Sequence, residues 1–359
     1  MIRPPRSVLV VVTRRIGDVL FATPLIRSLK AAWPGVAVDA LVFESTAGVL
    51  AGNPDVRRIR AVPDRPGLLQ HIAFIVGFAR RYDMALSLMP GDRPTLYAYL
   101  GGRWRAGLAI DDARHRWKQW LLQRWVPFDD LNTHTVRMHL ALAEALGIPP
   151  RAAVDVAWSD AHQRELAAVC PFDTARTAYA VLHVYPKFNY KMWHCRGWAE
   201  LARWIAGRGM RIVLTGGGEA AEREYVNGVA NSLPDDAVNL AGRLSLGAAC
   251  FLVSRSRLYT GPDTGMTHVA AALGVPTVAL FGPSNPVKWG PWPRGHDPAV
   301  NPWRRCGTQR RGNVVLLQGI GACVPCHLEG CDRRIGSYSD CLQQIPAGRV
   351  IAAAESLLD

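Results

Sequence analysis

The sequence predicts an α/β protein with two doubly wound parallel sheets, and three observations carry this prediction. Continuous apolar runs, such as residues 7–13 and Thr277–Phe281, are typical of strands that a parallel sheet buries on both faces. Stretches with a helical pattern separate these runs in both halves of the chain, as in repeated βα units. The length of 359 residues favours two domains. We therefore expect one Rossmann-like domain in each half.

The first half is expected to form a domain over residues 1–150. A buried strand at residues 7–13 leads to a helix that begins near Asp18 and ends near Pro34. Residues 91–130 are less regular, and two consecutive prolines at 149–150 mark a linker. The further strands are predicted at residues 36–43, 56–62 and 84–88, and the further helices at residues 47–52, 68–81 and 133–146.

The second half repeats the alternation. A second domain is expected over residues 151–345, with a closing helix in residues 346–359. The glycines at 216–218 form a turn after one strand, but their spacing is neither GxGxxG nor a Walker motif. The strands are predicted at residues 179–184, 210–215, a run ending at 260, and 277–281, and the helices at residues 161–169, 198–206, a run ending at 231, 246–253, 266–273 and 347–358.

The composition is that of a basic globular protein. Hydrophobic residues make up 49% of the chain and charged residues 20%, and the formal net charge is +13 at pH 7. A surface of this sign suits an anionic partner, namely a nucleotide, a phosphorylated lipid, a membrane surface or nucleic acid.

The amino-terminal residues do not read as a signal peptide, because Arg14 and Arg15 follow an apolar core of only residues 8–12. The longest apolar run elsewhere, residues 72–79, is too short to span a bilayer. We expect a cytoplasmic protein that can associate with the cytoplasmic face of the inner membrane. In that compartment the eight cysteines should be reduced or metal-bound rather than paired in disulfides.

The first candidate site is the turn between a strand ending at Thr260 and a helix over residues 266–273. Gly265 allows a ligand to approach the backbone, and the N–H groups at the helix start favour an anion. The Thr264 hydroxyl and His268, as a cation or as a neutral donor, can reach the same anion. Asp263 is assigned to sugar hydroxyls or to holding the turn. The alternative is an ordinary strand–helix connection in which these residues only cap and turn.

The second candidate site is residues 14–18, directly after the first predicted strand. Ligands of doubly wound sheets bind at this edge. Gly17 permits a tight backbone, and Asp18 would project from the helix start into the crevice. The alternative is that Asp18 only complements the helix dipole.

Residues 103–125 interleave arginines with tryptophans. Trp117, Trp120, Leu121 and Arg124 are predicted to share one helical face. This face would meet a phosphorylated sugar or a membrane interface. The alternative is a core helix whose arginines extend to solvent.

The carboxyl-terminal segment carries a cysteine pattern. Cys323 and Cys326 form a CxxC pair, and Cys331 and Cys341 follow it. This is a candidate structural zinc site, in which His327 could replace one ligand, although the last spacing is not that of a standard finger. The alternatives are reduced cysteines and, least favoured, disulfides.

Several segments together resemble glycosyltransferase family 9, the ADP-heptose:lipopolysaccharide heptosyltransferases. The segments are RRIGDVLFATPLIRSLKAAWPGVAVDALV with GNPDVRRI in the first half, and KMW, LAGRLSL and DTGMTHVAAALGVPTVALFGPSNPVKWGPW in the second. The resemblance covers residues 8–345. It implies a GT-B fold, in which two Rossmann-like domains face each other across a cleft. It also implies inverting transfer of heptose from ADP-heptose to the inner core of lipopolysaccharide.

The resemblance further implies roles for individual residues. Asp18 would be the general base for the acceptor hydroxyl, and an exposed aspartate is already ionised near neutrality. Lys191 would be catalytic because its charge stabilises the leaving diphosphate. Without the resemblance, Lys191 would be interpreted as a solvated charge on a loop. Either Glu219 or Glu222 would bind the ribose. The full donor set is Lys191, Glu219, Glu222, Arg243, Leu244, Asp263, Thr264, Gly265, Met266 and His268, and the acceptor set is Arg14, Arg15, Gly17 and Arg105.

No DxD motif occurs in the chain, so catalysis is predicted to need no metal and no cofactor besides the donor substrate. The expected partners are the nucleotide sugar, a lipopolysaccharide core or lipid A acceptor, and the membrane surface, with no nucleic acid. One alternative is the same fold acting on another nucleotide sugar or acceptor. The other is a basic nucleic-acid-binding protein with a zinc tail, which would explain neither the paired domains nor the two candidate sites.

Overall fold

The computed structural model describes residues 3–63 and 67–359. The predicted first domain, residues 1–150, therefore includes five residues that lie outside the described part. The chain divides into two compact units. The amino-terminal unit runs to Ala157 and includes Asp297–Val300, and the carboxyl-terminal unit comprises Trp158–His296 and Asn301–Asp359.

The amino-terminal unit contains one parallel sheet. Its described strands are β1 (Ser7–Val11), β2 (Ala37–Phe43), β3 (Arg58–Val62), β4 (Tyr82–Ser87), β5 (Gly102–Ala109) and β6 (Arg124–Pro127). Their order is β3-β2-β1-β4-β5-β6, with Val8 opposite Val38 on one side and Met84 on the other. The strand order thus reverses between β1 and β4, as in a doubly wound sheet.

Six α-helices are described in this unit. They are α1 (Ile16–Leu20), α2 (Thr23–Ala32), α3 (Leu68–Val76), α4 (Asp92–Gly101), α5 (Arg116–Trp120) and α6 (Thr135–Ala145). Leu9 and Val11 of β1 pack against Phe78 and Tyr97 in a core that the uniformly apolar β1 makes possible.

Several predictions for this half differ from the structure. The single helix after Asp18 is broken into α1 and α2, because Pro24 is tolerated only in the first turn of a helix. The short helix predicted over residues 47–52 is a 3₁₀ helix that spans Glu44–Leu50. Residues 91–130 are regular and form α4, β5, α5 and β6. Because α5 ends at Trp120 and Arg124 begins β6, the predicted face of Trp117, Trp120, Leu121 and Arg124 does not exist as one helix.

The carboxyl-terminal unit contains the second sheet. Its described strands are β7 (Tyr179–His183), β8 (Arg211–Thr215), β9 (Val238–Asn239), β10 (Leu258–Pro262), β11 (Thr277–Phe281), β12 (Gln309–Arg311) and β13 (Val314–Gln318). The order is β12-β13-β11-β10-β7-β8-β9, and all pairs are parallel except β12 with β13. The sheet is doubly wound with its reversal between β10 and β7, and the antiparallel edge strand is a departure from the predicted all-parallel sheet.

The helices of this unit cover both faces of the sheet. They are α7 (Asp160–Val169), α8 (Cys195–Gly207), α9 (Ala220–Ala230), α10 (Leu246–Arg255), α11 (Gly265–Leu273), α12 (Pro286–Trp289), α13 (Asp340–Gln343) and α14 (Ala347–Leu358). The closing helix α14 packs against α8, β13 and β11. Across residues 3–63 and 67–359, no helix combines the length and apolar character needed to cross a bilayer.

A buried tryptophan pair anchors the loop between β7 and α8. The Trp193 and Trp198 rings meet edge to face at 4.9 Å, and Trp193 Nε1 donates to the Ile345 carbonyl at 2.8 Å. A Cβ atom at Gly197 would lie 2.3 Å from the Trp193 ring, so only glycine fits at that position. This packing holds Lys191, two residues before Trp193, in a defined place.

Candidate functional site

The first group of candidate residues lies where the order of the second sheet reverses. Ligands of open α/β sheets bind outside the carboxyl ends of the strands at such a point. The loop after β10 carries Asp263 and Thr264, and the loop after β7 carries Lys191. Since β7 and β10 are neighbours in the sheet, the two loops meet.

A buried ion pair joins the two loops. Lys191 Nζ lies 2.5 Å from Asp263 Oδ2, and both side chains are largely buried. Burial alone would raise the pKa of the Asp263 carboxyl, but the Lys191 ammonium and the Ser284 side chain lower it below its ordinary value. Asp263 therefore carries its charge and balances that of Lys191.

His268 lies one turn into α11, with Nε2 3.7 Å from Asp263 Oδ1. Burial lowers the pKa of His268 to about 4, against the attraction of Asp263 for the imidazolium. The ring is therefore neutral at pH 7, and of the two expected forms, cation or neutral donor, the structure supports only the neutral one.

The start of α11 has the form that an anion site needs. Thr264 is its N-cap with extended backbone, φ −138° and ψ 167°, yet the Thr264 side chain does not cap the helix. Its hydroxyl lies 3.3 Å from the Thr267 hydroxyl instead, and Thr267 donates to the Pro262 carbonyl at 2.5 Å. Gly265 and the buried Met266 are the first two helical residues, whose N–H groups have no carbonyl partner within a helix.

The second group surrounds the glycine-rich turn after β8. Glu222 Oε1 accepts a hydrogen bond from the Gly217 N–H at 2.6 Å. A Cβ atom at Gly217 would lie 2.7 Å from Glu222 Oε2, so a larger residue at this position would displace the carboxylate. Burial raises the pKa of Glu222, and the charge of Glu219 adds to the shift. Glu219 itself is exposed at the N-cap of α9 and does not fold back onto the turn.

The loop after β9 completes this group. The Gly242 N–H donates to the Gly216 carbonyl at 3.0 Å, and Gly242 adopts φ +71°, a conformation that favours glycine. Arg243 follows as an exposed side chain and Leu244 as a half-buried one. The structure therefore brings Glu222, Arg243 and Leu244 to one region of the carboxyl-terminal unit.

Two residues between the groups were missed by the sequence analysis. His183 and Thr215 end the paired strands β7 and β8, and His183 Nδ1 lies 3.1 Å from Thr215 Oγ1. Burial lowers the pKa of His183 to about 4, so this imidazole is also neutral at pH 7. Both are polar residues at the carboxyl ends of apolar strands, where ligands of such sheets bind, and this position is the signal that would have identified them.

Asp18 lies in the amino-terminal unit, just after β1 and next to the reversal of that sheet. It is the third residue of α1 and is only 4% exposed. Arg14 Nε lies 3.7 Å from Asp18 Oδ2. The expectation of an exposed aspartate is therefore wrong, because the short helix α1 buries Asp18 together with Val19 and Leu20.

The other expected acceptor residues differ in position. Arg15 is the N-cap of α1, and Gly17 lies within it, so both accompany Asp18. Arg105 lies in the middle of β5, where its guanidinium stacks 4.8 Å from the Tyr99 ring centroid and Nε donates to Gln123. The structure does not bring Arg105 to the carboxyl end of the strands.

The cysteine segment has no described metal centre. Within the described ranges, no three His, Cys, Asp or Glu side chains are placed to hold a metal ion. Burial, aided by the neighbouring Cys326, Cys331 and Cys323, raises the pKa of the Cys341 thiol to about 12. All eight cysteines are free thiols.

Comparisons with known proteins identify a family and relatives of this chain. A sequence model of glycosyltransferase family 9 (heptosyltransferase) matches residues 78–311. The lipopolysaccharide heptosyltransferase 1 of Pseudomonas aeruginosa PAO1 is 32% identical over 292 residues, covering 78% of this chain and 79% of the relative. The lipopolysaccharide heptosyltransferase 3 of Escherichia coli K12 is 25% identical over 291 residues, covering 77% and 82%.

Solved structures share the fold. A family 9 glycosyltransferase from Veillonella parvula has a TM-score of 0.77 at 21% identity, with 98% of this chain and 97% of that one covered. The E. coli ADP-heptose lipopolysaccharide heptosyltransferase II has a TM-score of 0.75 at 22% identity, with 98% of both chains covered. These matches confirm the predicted GT-B fold with two Rossmann-like domains. Together with the sequence match, they show that the chain belongs to glycosyltransferase family 9, the heptosyltransferase family.

Proposed function

We propose that this protein transfers heptose from ADP-heptose to the inner core of lipopolysaccharide, with inversion at the anomeric carbon. The relatives named above are lipopolysaccharide heptosyltransferases, which supports this donor and acceptor class. The observation that carries the proposal is the Lys191–Asp263 pair at the start of α11, because it sets a fixed positive charge beside a helix N-terminus at the reversal of the second sheet.

The carboxyl-terminal unit binds the donor in this proposal. The N–H groups of Gly265 and Met266 and the helix dipole of α11 favour the diphosphate, and the Thr264 hydroxyl adds a donor. Lys191 neutralises the charge that develops as the bond to the sugar breaks. His268 acts as a neutral N–H donor, and Asp263 fixes Lys191 in place.

The nucleoside binds beside the glycine-rich turn. Of the two glutamates that the sequence left open, Glu222 is the better ribose ligand, because its carboxylate is already held against the Gly217 N–H. A carboxylate positioned in this way accepts strong hydrogen bonds from two neighbouring hydroxyls. Arg243 and Leu244 follow the adjoining loop and contact the adenine, while Glu219 stays at the periphery.

The amino-terminal unit binds the acceptor and supplies Asp18 as the general base. The acceptor oxygen attacks the anomeric carbon while Asp18 takes the hydroxyl proton. The bond from that carbon to the phosphate oxygen breaks, and ADP leaves with the electron pair. Arg14, at 3.7 Å, offsets part of the cost of burying the carboxylate. Arg14, Arg15 and the backbone at Gly17 contact anionic groups of the acceptor core.

We also propose that the reaction needs no metal. Lys191 and the α11 N-terminus supply the positive field that a divalent ion supplies in other glycosyltransferases. Turnover in excess EDTA should equal turnover without it. Loss of activity in EDTA that magnesium or manganese restores would contradict this part of the proposal.

The acceptor places the enzyme at a membrane. Lipid A anchors the acceptor in a bilayer, so the protein works as a cytoplasmic enzyme at the inner membrane surface. Nucleic acid is not a partner in this proposal, although the net charge of +13 alone would suit one.

Isothermal titration with ADP, ADP-heptose, UDP and UDP-glucose in EDTA tests the donor. Binding of ADP and ADP-heptose with no binding of the uridine nucleotides is the expected result. Preference for a uridine nucleotide would keep the fold and the role of Asp18, but would support the alternative of another nucleotide sugar and remove the roles of Glu222 and Arg243 at an adenosine.

A further inference from the structure

Helix α3 carries an apolar side that the core of its unit does not use. Phe74 and Ile75 pack inward, yet Leu69 on the outer side is 82% exposed and Leu68 is 77% exposed. The outer side also presents Ile72 and Val76 to solvent. A surface helix ordinarily carries polar residues on this side. Such a contiguous apolar patch indicates a surface that meets a partner.

The patch continues onto α4 and α5. His71 Nε2 of α3 lies 2.6 Å from Tyr97 OH of α4, and Lys118 Nζ of α5 donates to the Pro90 carbonyl just before α4. Right-handed crossovers also place these three helices on one side of the sheet. We call the exposed apolar set on this side the α3–α5 surface; its members are Leu68, Leu69, Ile72, Val76, Leu96, Trp117 and Trp120.

The α3–α5 surface lies among basic residues. Residues 67–126 contain nine basic and four acidic side chains. Two of the acidic ones, Asp92 and Asp112, are paired with Lys118 and His115. Exposed arginines stand next to the apolar positions, namely Arg93, Arg114 and Arg116. Tryptophan rings and leucines flanked by arginines are the composition of a surface that lies on anionic lipid.

The position of this surface matches the site. Helices α3, α4 and α5 begin after the carboxyl ends of β3, β4 and β5. Asp18 follows the carboxyl end of β1, so it lies at the same end of the sheet. We propose that the α3–α5 surface docks the protein on an anionic lipid bilayer. The inference rests on the proposed function, in which the acceptor hydroxyl that reaches Asp18 belongs to a lipid-anchored molecule. A second copy of the chain is the competing occupant of the same surface.

Vesicle co-sedimentation of the full chain tests this inference. The vesicles contain phosphatidylethanolamine and phosphatidylglycerol, with neither donor nor acceptor. Replacing two exposed residues, Leu69→Ser with Ile72→Ser, should lower the partition coefficient about ten-fold or more, because two side chains lose their burial in lipid. The matched control is Ile320→Ser with Ile335→Ser, two exposed apolar residues of the carboxyl-terminal unit, which should change partitioning less than about two-fold.

The arginines beside the α3–α5 surface allow a second test of vesicle binding. Arg114→Gln with Arg116→Gln should weaken binding to these vesicles about ten-fold, since each basic residue adds to the attraction of an anionic surface. Binding to vesicles of neutral phosphatidylcholine should stay unchanged in the same variant. Equal loss on both vesicle types would overturn the electrostatic part of the inference.

Two results would overturn the docking inference. One is vesicle binding that is absent in the native protein or equal in the Leu69→Ser, Ile72→Ser variant. The other is a native dimer that becomes monomeric in this variant by analytical ultracentrifugation, which would make the surface an interface between two copies. Failure of ADP-heptose binding with intact vesicle binding would instead contradict only the proposed function. With a soluble core oligosaccharide as acceptor, the variant should keep the native turnover rate.

Discussion

Lys191 Nζ and Asp263 Oδ2 lie 2.5 Å apart, although 72 residues separate them in the sequence. The pair ties the loop after β7 to the loop after β10, the two strands between which the sheet order reverses. Both side chains are largely buried, with 14% and 8% of each exposed. In a buried pair each charge depends on the other, so this contact stabilises the fold as well as holding Lys191, which we propose acts on a phosphate.

Removing one partner of this pair should therefore have two effects. Lys191→Met should destabilise the protein by about 3–5 kcal/mol, because Asp263 is left as a buried charge without its ammonium. It should also weaken ADP binding. The double variant Lys191→Met, Asp263→Leu should recover much of the stability in urea unfolding but none of the ADP affinity. Recovery of ADP affinity in the double variant would show that Lys191 acts only through the fold.

One isosteric change, Asp18→Asn, should distinguish the proposed general base from the proposed donor-binding residues. Asp18→Asn should lower kcat about 100- to 10,000-fold, since the acceptor proton loses its recipient. The affinity for ADP should stay within about two-fold of native, because Asp18 lies in the other unit from the donor residues. Asp160→Asn, an exposed change at the start of α7, is the matched control. A parallel loss of ADP affinity in Asp18→Asn would make Asp18 a binding residue.

The strands and helices that the sequence predicted well share a clear signal. Apolar runs bounded by glycine and proline, as at β10, α11 and β11, are correct within two residues. Strand β5 was missed because Arg103 and Arg105 interrupt its apolar pattern. Strand β13 was missed although its apolar run is uniformly buried, so a local apolar pattern does not by itself identify every strand.

For the candidate site, too, the sequence predicted local features but not the contacts between side chains. The turn at Asp263 and the charge at Lys191 were both predicted, but not their pairing. Their contact depends on the packing of Trp193 against Ile345, which no local pattern contains. The burial of Asp18 was missed for a related reason, since the three residues that α1 buries are set by tertiary contacts, such as those with the 3₁₀ helix Glu44–Leu50, and not by periodicity.

The structure holds Glu222 against the Gly217 N–H and leaves Glu219 exposed, and a matched pair of variants tests our proposal that Glu222 binds the ribose. Glu222→Gln should weaken ADP binding about ten-fold or more, because ribose hydroxyls lose a charged acceptor. The glutamine still accepts from the Gly217 N–H, so the turn is preserved. Glu219→Gln should change ADP affinity less than about two-fold. The reverse order in isothermal titration would assign the ribose to Glu219.

Two of the buried histidines, His183 and His268, should make the stability depend on pH. The pKa values of His183 and His268 are lowered by burial to about 4, whereas unfolded histidine titrates near pH 6.5. Between these values the unfolded chain binds more protons, so stability is complete above about pH 6.5 and falls toward about pH 4, by up to about 1.4 kcal/mol per pH unit for each ring. His183→Gln should remove its share of this slope in urea unfolding at pH 7.5, 6 and 5. His115→Gln, on a more accessible ring, is the control, and an unchanged slope in His183→Gln would show that His183 is protonated in the folded protein.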